Sequence, residues 1–197
     1  VYLPYEILVD EAANVLQIDS KKVESAIDEM DILCKIKICN DDNNNKIIYL
    51  NYMFYSEEFI AKKLIEIGSY NYNIDDKNLK LCIDQFSKFS GYELDENQIA
   101  AVRQAGENGL TIITGGPGTG KTSIIRALVH FFMSCKKKCL LAAPTGRAAK
   151  RMTESCGVQA KTIHRMLEFS GDESDDDSKL IFKRNEENPL DADAVII

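Results

Sequence analysis

The sequence predicts an α/β protein in which a parallel sheet covered by helices is preceded by a small helical, winged-helix-like module. Three observations lead there. Helical and strand patterns alternate beyond residue 91. Residues 110–114 form a β-branched apolar run that feeds a glycine-rich loop and then a helix. Residues 1–54 read as helix, helix and hairpin. With 197 residues, 45% apolar and 28% charged, the chain has room for one large or two small domains and a sizeable core.

In the first module, Ile7, Leu8, Ala12, Val15 and Leu16 keep helical spacing. Asp19-Ser20 offers an N-cap to a second helix carrying Val23, Ala26, Ile27 and Met30. Residues 32–38 and 46–50 read as strands joined by the turn-rich stretch 40–45. A winged helix-turn-helix reads DNA through its second helix. Yet residues 1–90 hold 10 basic against 16 acidic side chains, a net −6, which favours a packing or partner-docking module. Ser56 opens a further helix through Phe59, Ile60, Leu64 and Ile67, with Gly68 as its expected C-terminal cap. The next helix, over about 75–89, carries Leu79, Ile83 and Phe86 on one face. Residues 55–90 are therefore a helical connector, and Ser90-Gly91 marks the start of the second domain, 91–197. There the expected order is helix 95–106, strand 110–114, helix 121–134, strand 138–143, helix 146–155 and a last strand at 194–197. Residues 168–183 read as an inserted hairpin whose tip is the acidic run 172–177.

No apolar run approaches the roughly 20 residues of a membrane span, and the N-terminus lacks the basic-then-apolar layout of a signal peptide. A cytoplasmic protein without a membrane partner is the expectation. Six cysteines without a C-x-x-C pair, and two histidines away from finger-like spacing, read as reduced thiols and not as a metal site. The net charge of −7 hides a local asymmetry: from Lys121 to Arg165 ten basic residues face one acid, a net +9. Part of that charge suits a nucleotide and part a second polyanion.

The chemistry is concentrated in Gly115-Gly116-Pro117-Gly118-Thr119-Gly120-Lys121-Thr122, a G-x-x-x-x-G-K-T phosphate-binding loop followed by Ser123. Its glycines let backbone N–H groups converge on phosphate oxygens. Lys121 can reach the β- and γ-phosphates, and the Thr122 hydroxyl can ligate Mg²⁺ at a helix start whose dipole favours anions. ATP with Mg²⁺ is the expected ligand. Gln98, just upstream, has an amide that can both donate and accept, as adenine recognition requires, although a surface glutamine is the plainer account of it alone. Pro144, Thr145, Gly146 and Arg147 shape a loop at a strand's C-terminal end, where ligands gather in α/β sheets; the Thr145 hydroxyl and nearby N–H groups can hold a phosphate. Lys161-Thr162-Ile163-His164-Arg165 puts a hydroxyl, an imidazole and two cations in five residues.

Taken together, Leu-Asp-Glu-Asn-Gln-Ile-Ala-Ala-Val around Gln98, Gly-Gly-Pro-Gly-Thr-Gly-Lys-Thr, Ala-Pro-Thr-Gly-Arg-Ala-Ala-Lys-Arg-Met, Thr-Ile-His-Arg and Asn-Pro-Leu-Asp-Ala-Asp-Ala-Val-Ile-Ile resemble the RecD-like branch of superfamily 1 DNA helicases. The resemblance is close over about 91–197 and weaker for the preceding module. It implies a RecA-like motor domain, ATP hydrolysis coupled to 5′→3′ movement on single-stranded DNA, action at duplex junctions, and a part in DNA repair. It makes Gln98 the adenine reader, Thr145 a single-strand contact, and Thr162 and His164 further ones. The hairpin at 168–183 then matches the strand-separating pin, here with an acidic tip that lacks an aromatic.

The family follows its Ala-Val-Ile-Ile type of strand with an Asp-Glu pair that holds Mg²⁺ and orients water, whereas Ile197 is the last residue here and Asp191 and Asp193 precede the strand. The expectation is a chain cut at both ends that binds ATP without turning it over, the second motor domain lying further downstream. Two rival functions share the loop: a P-loop ATPase that remodels proteins, and a nucleotide-binding, DNA-binding regulator led by residues 1–54. DNA-stimulated ATPase activity separates helicase from remodeler, and duplex sequence preference in 1–54 favours the regulator.

Overall fold

The computed structural model describes residues 2–171 and 180–197. They divide into two compact units, Val1–Ile67 and Gly68–Ile197, and the division falls inside the stretch read as connector.

In the first unit, β1 (Leu3–Pro4) leads into α1 (Tyr5–Leu16) and α2 (Ser20–Ile32), followed by β2 (Ile36–Asn40) and β3 (Lys46–Leu50). The Asp19 carboxylate caps α2 by accepting from the Lys21 N–H at 2.9 Å. The sheet is antiparallel in the order β1-β3-β2, with Ile38 opposite Ile48. Val9, Val23, Ile27, Ile36 and Ile48 form its core. The buried stripe of α1 therefore centres on Val9, while Val15 is 81% exposed. Residues 32 and 33 end α2 instead of starting a strand, because Cys34 takes φ +54° and turns the chain before β2. In the connecting turn the Asp41 carboxylate accepts from the N–H groups of Asn43 and Asn45, and Asn44 adopts φ +65°. α3 (Asn51–Gly68) starts five residues before the expected 56, and none of its residues is buried.

The second unit contains α4 (Asp76–Ser90), α5 (Glu96–Glu107), α6 (Lys121–Ser134), β4 (Cys139–Ala143), α7 (Gly146–Cys156), β5 (Ala160–Thr162), α8 (Ile163–Met166), β6 (Phe169–Gly171), β7 (Leu180–Phe182) and β8 (Ala194–Ile196). α4 starts after the Asp75 cap and stops at Gly91, which takes φ +76°. Its buried Leu79, Cys82 and Phe86 meet Val102 of α5 and Ile124, Ala127, Leu128 and Phe131 of α6 in one core. The α6 positions follow i, i+3, i+4, i+7, one face of a helix. At Gly106 a Cβ would stand 2.8 Å from Phe131 Cε1, so glycine lets α5 approach α6.

The sheet is parallel in the order β5-β4-β8, pairing Leu141 with both Ala160 and Ile196. Residues 110–114 differ from expectation: they take no ladder position among the described residues, although Ile113 packs against the core while Ile112 is 81% exposed. β-propensity and an apolar run suit a strand, but a strand exists only where a neighbour accepts its hydrogen bonds. β5 and β1 are short strands that periodicity did not reveal. β6 and β7 pair antiparallel, Phe169 opposite Phe182, as stems of a hairpin whose acidic run 172–177 lies outside the described residues.

All six cysteines are free thiols. Burial pushes the Cys139 thiol up to about 11, which suits a packing role. No described helix is long and apolar enough to cross a membrane.

Candidate functional site

The site begins where residues 115–120 enter α6. Gly118 and Gly120 take φ +79° and +76°, a region costly to other L-residues. Gly120 is the N-cap and, having no side chain, makes no cap hydrogen bond. Helices α5, α7 and α8 start with side-chain caps from Asp95, Thr145 and Thr162. At α6 the first-turn N–H groups of Lys121, Thr122 and Ser123 thus face outward without a side-chain acceptor, where the helix dipole is positive. Nothing would lie within 4 Å of a Cβ at Gly116 or Gly118, so this side of the loop is open. The Lys121 ammonium lies across the loop and donates to the carbonyls of Gly115 and Gly116 at 2.6 Å each. Thr119 Oγ1 closes the turn by donating to the Gly116 carbonyl at 3.0 Å. This donor set, oriented N–H groups beside an ammonium and a Thr122 hydroxyl, fits a nucleoside triphosphate with its hard cation.

Gln98 stands directly beside this loop. A Cβ on Gly120 would fall 2.3 Å from Gln98 Nε2. Gln98 is also the third residue of α5 and closes a capping box: its N–H donates to Asp95 Oδ1 at 2.9 Å, and its Oε1 accepts from the Asp95 N–H at 3.1 Å. Asp95 was passed over in the sequence, although its spacing of three from a glutamine is the signature of such a box.

The second group of candidates lies at the C-terminal edge of the parallel sheet. β4 runs into Pro144 and Thr145, and Thr162 ends β5 opposite Ala143. The Thr145 hydroxyl accepts from the Ala148 N–H and the Thr162 hydroxyl from the Arg165 N–H, each at 3.2 Å. As N-caps both spend a lone pair and keep the O–H to donate. Arg147, Lys150, Arg151, Lys161 and Arg165 are exposed around them, and Gly146 has open space where a Cβ would stand. The His164 ring packs edge-on to Phe169 at 5.3 Å between centroids and lies 6.0 Å from Phe182, so it anchors the root of the hairpin. Neither phenylalanine stood out in the sequence.

Residues 135–138 link α6 to β4, which puts the end of that helix at the start of the strand. A helix of 14 residues spans about 21 Å, and α6 packs against β4 and α7. The acids near β8 lie at the other edge: Asp193 accepts from the Lys138 N–H at 2.8 Å and from Lys137 Nζ at 3.1 Å, and Asp191 pairs with the Lys138 ammonium. The Lys138 N–H, with help from Lys137, holds the Asp193 carboxyl below the usual carboxylate range. Among the described residues no group of three or more His, Cys, Asp or Glu side chains has the arrangement of a metal site.

The profile of the AAA domain family matches residues 98–197. An ATP-dependent RecD2 DNA helicase of Deinococcus radiodurans is 40% identical over 76 residues, covering 39% of this chain and 11% of that protein. The RecBCD enzyme subunit RecD of Mycolicibacterium smegmatis is 33% identical over 125 residues, covering 52% and 22%. RecD of Buchnera aphidicola from Acyrthosiphon pisum is 32% identical over 175 residues, covering 78% and 27%. The chain spans about a quarter or less of the length of these relatives.

Proposed function

The chain belongs to the AAA domain family and is RecD-like, and we propose that residues 91–197 act as the first RecA-like motor domain of an ATP-dependent 5′→3′ DNA helicase, with a winged-helix-like module at 1–54 and a connector at 55–90. The observation that carries this reading is the uncapped N-terminus of α6, fed by a loop with two left-handed glycines and overlain by the Lys121 ammonium. Residues 115–120, apart from Pro117, which has no N–H and shapes the turn, supply backbone donors to phosphates, Lys121 neutralises charge on the outer two, and the hydroxyls of Thr122 and Ser123 stand in the first turn, Thr122 toward Mg²⁺. Bound Mg²⁺–ATP supplies a transferable phosphoryl group whose charge such a site stabilises. Gln98 reads the adenine edge.

Single-stranded DNA runs along the C-terminal edge of the sheet, its phosphates held by Thr145, Thr162 and the α7 start at Gly146 and Arg147, with Pro144 shaping the loop and His164 next to the hairpin. Duplex junctions are the proposed substrates, DNA repair the process and the cytoplasm the location. In the 197-residue chain Lys121→Ala is expected to abolish Mg²⁺–ATP binding in calorimetric titration, and unchanged affinity would remove Lys121 from the site. Binding of fluorescent single-stranded DNA is expected to weaken with salt and with a combined Thr145→Ala and His164→Ala change.

A further inference from the structure

We propose that Asp95 is a positioning residue that sets the choice of base, by locking the Gln98 carboxamide in one orientation; this rests on the nucleotide reading above. A backbone N–H can only donate, so the amide atom 3.1 Å from the Asp95 nitrogen must be the oxygen. The amide nitrogen therefore turns to the other side, where Gly120 leaves it space that a methyl group would take: a Cβ there would meet Nε2 at 2.3 Å and Cδ at 3.5 Å. The reciprocal bond from the Gln98 N–H to Asp95 Oδ1, 2.9 Å, fixes the same turn of α5 from the other direction. The Gln98 amide is thus held by the Asp95 N–H and its backbone by the Asp95 carboxylate, while the last glycine of the phosphate loop leaves the amide room.

An amide that cannot flip offers a donor and an acceptor in a set order. Adenine presents N7 as acceptor and its N6 amino group as donor, which complements such an edge. Guanine presents N7 and O6, two acceptors, and puts O6 against the amide oxygen. A free amide can turn to give its NH₂ group to O6, whereas a locked one keeps its oxygen against O6, so the lock supplies discrimination by repelling the wrong base. Gln98 touches the base; Asp95 acts through Gln98.

The test uses the 197-residue chain and titrates ATP, GTP and inorganic tripolyphosphate into the wild type and three variants. Asp95→Pro removes both the N–H donor and the side-chain cap, and the Asp95 φ of −75° suits proline, so its difference from Asp95→Ala reads the N–H alone. Asp95→Ala keeps the N–H but loses the side-chain cap, and Asp95→Ser restores a capping oxygen. The ratio of ATP to GTP affinity is expected to fall about tenfold in Asp95→Pro, by less in Asp95→Ala, and to return in Asp95→Ser, with tripolyphosphate binding unchanged throughout. If Asp95→Pro does not fold, a fourth variant, Gln98→Glu, decides: its carboxylate still accepts from the Asp95 N–H but has no donor for N7, and an unchanged ATP to GTP ratio there overturns the lock. An unchanged ratio in the folded variants overturns the lock, as does a parallel loss for ATP, GTP and tripolyphosphate, which would mean that the loop and not the base contact had moved. Tripolyphosphate and ATP both failing to bind the wild type would instead overturn the nucleotide reading, and the lock with it.

Discussion

Gly120 carries two constraints at one residue. Its φ of +76° opens α6 with the N–H groups facing outward, and its missing Cβ admits the Gln98 amide at a distance no side chain could share. Either constraint alone would disfavour another residue. Left-handed backbone costs an L-residue about 1–2 kcal/mol, and the clash adds to it because the capping box holds the Gln98 amide from its far end. Gly120→Ala is therefore expected to lower stability by at least about 1 kcal/mol in thermal melts and to weaken ATP by more than about tenfold in calorimetry. A variant that melts and binds like the wild type would show that the loop is free to adopt another path. The motif made Gly120 visible in the sequence; Gln98 was visible as an amide of fitting type and, through the resemblance, as the adenine reader, but not as the neighbour of Gly120.

At the start of β8 a carboxylate takes a place beside the ladder bonds. Before β8 the Asp193 carboxylate accepts from the Lys138 N–H, while the Asp193 N–H donates to the Lys138 carbonyl at 2.8 Å, so the starts of two parallel strands are tied on both sides. The carboxyl pKa is lowered in the fold, chiefly by that backbone donor and then by Lys137. Its contribution to stability is complete above the unfolded value, near 4, and disappears as pH falls through the folded value. Asp193→Ala is thus expected to melt below the wild type at about pH 7, with the two curves converging as pH falls through the lowered folded value. A gap that persists unchanged in acid would assign the effect to packing. The sheet strands were legible to different degrees for a similar reason. β4 and β8 are apolar enough to declare themselves, while β5 has only three residues, one of them Lys161, and exists because β4 offers it a partner. Residues 110–114 have strand composition and no such partner in the described fold.

Across the whole molecule stability is divided between two cores that share no residue, one around Val9, Val23 and Ile27, the other around Leu79, Val102 and Leu128. Removing a buried methylene cluster costs about 2–5 kcal/mol when the cavity cannot collapse. Leu79→Ala is expected to lower amide protection in α4, α5 and α6, and Ile27→Ala that in α1 and α2, with the double variant additive to within about 0.5 kcal/mol. Hydrogen exchange measures both, and a strong departure from additivity would show that the two cores are coupled. Charge is divided as well: the basic stretch from Lys121 to Arg165 sits in an otherwise acidic chain. The exposure of Arg147, Lys150, Arg151, Lys161 and Arg165 around the two capping threonines leaves that charge available to a polyanion.

By itself the sequence determined the α/β class, the helix that follows the glycine loop and the capped start at Asp19, because each depends on neighbours within a few residues. Only the tertiary structure decided that Gln98 lies against Gly120, that Thr145 and Thr162 share one sheet edge, that His164 packs edge-on to Phe169 at the hairpin root, and that the acids before β8 serve the opposite edge. These relations join residues far apart in the chain. Local spacing carries no information about them, since they follow from which strand finds which neighbour and how closely the helices can approach.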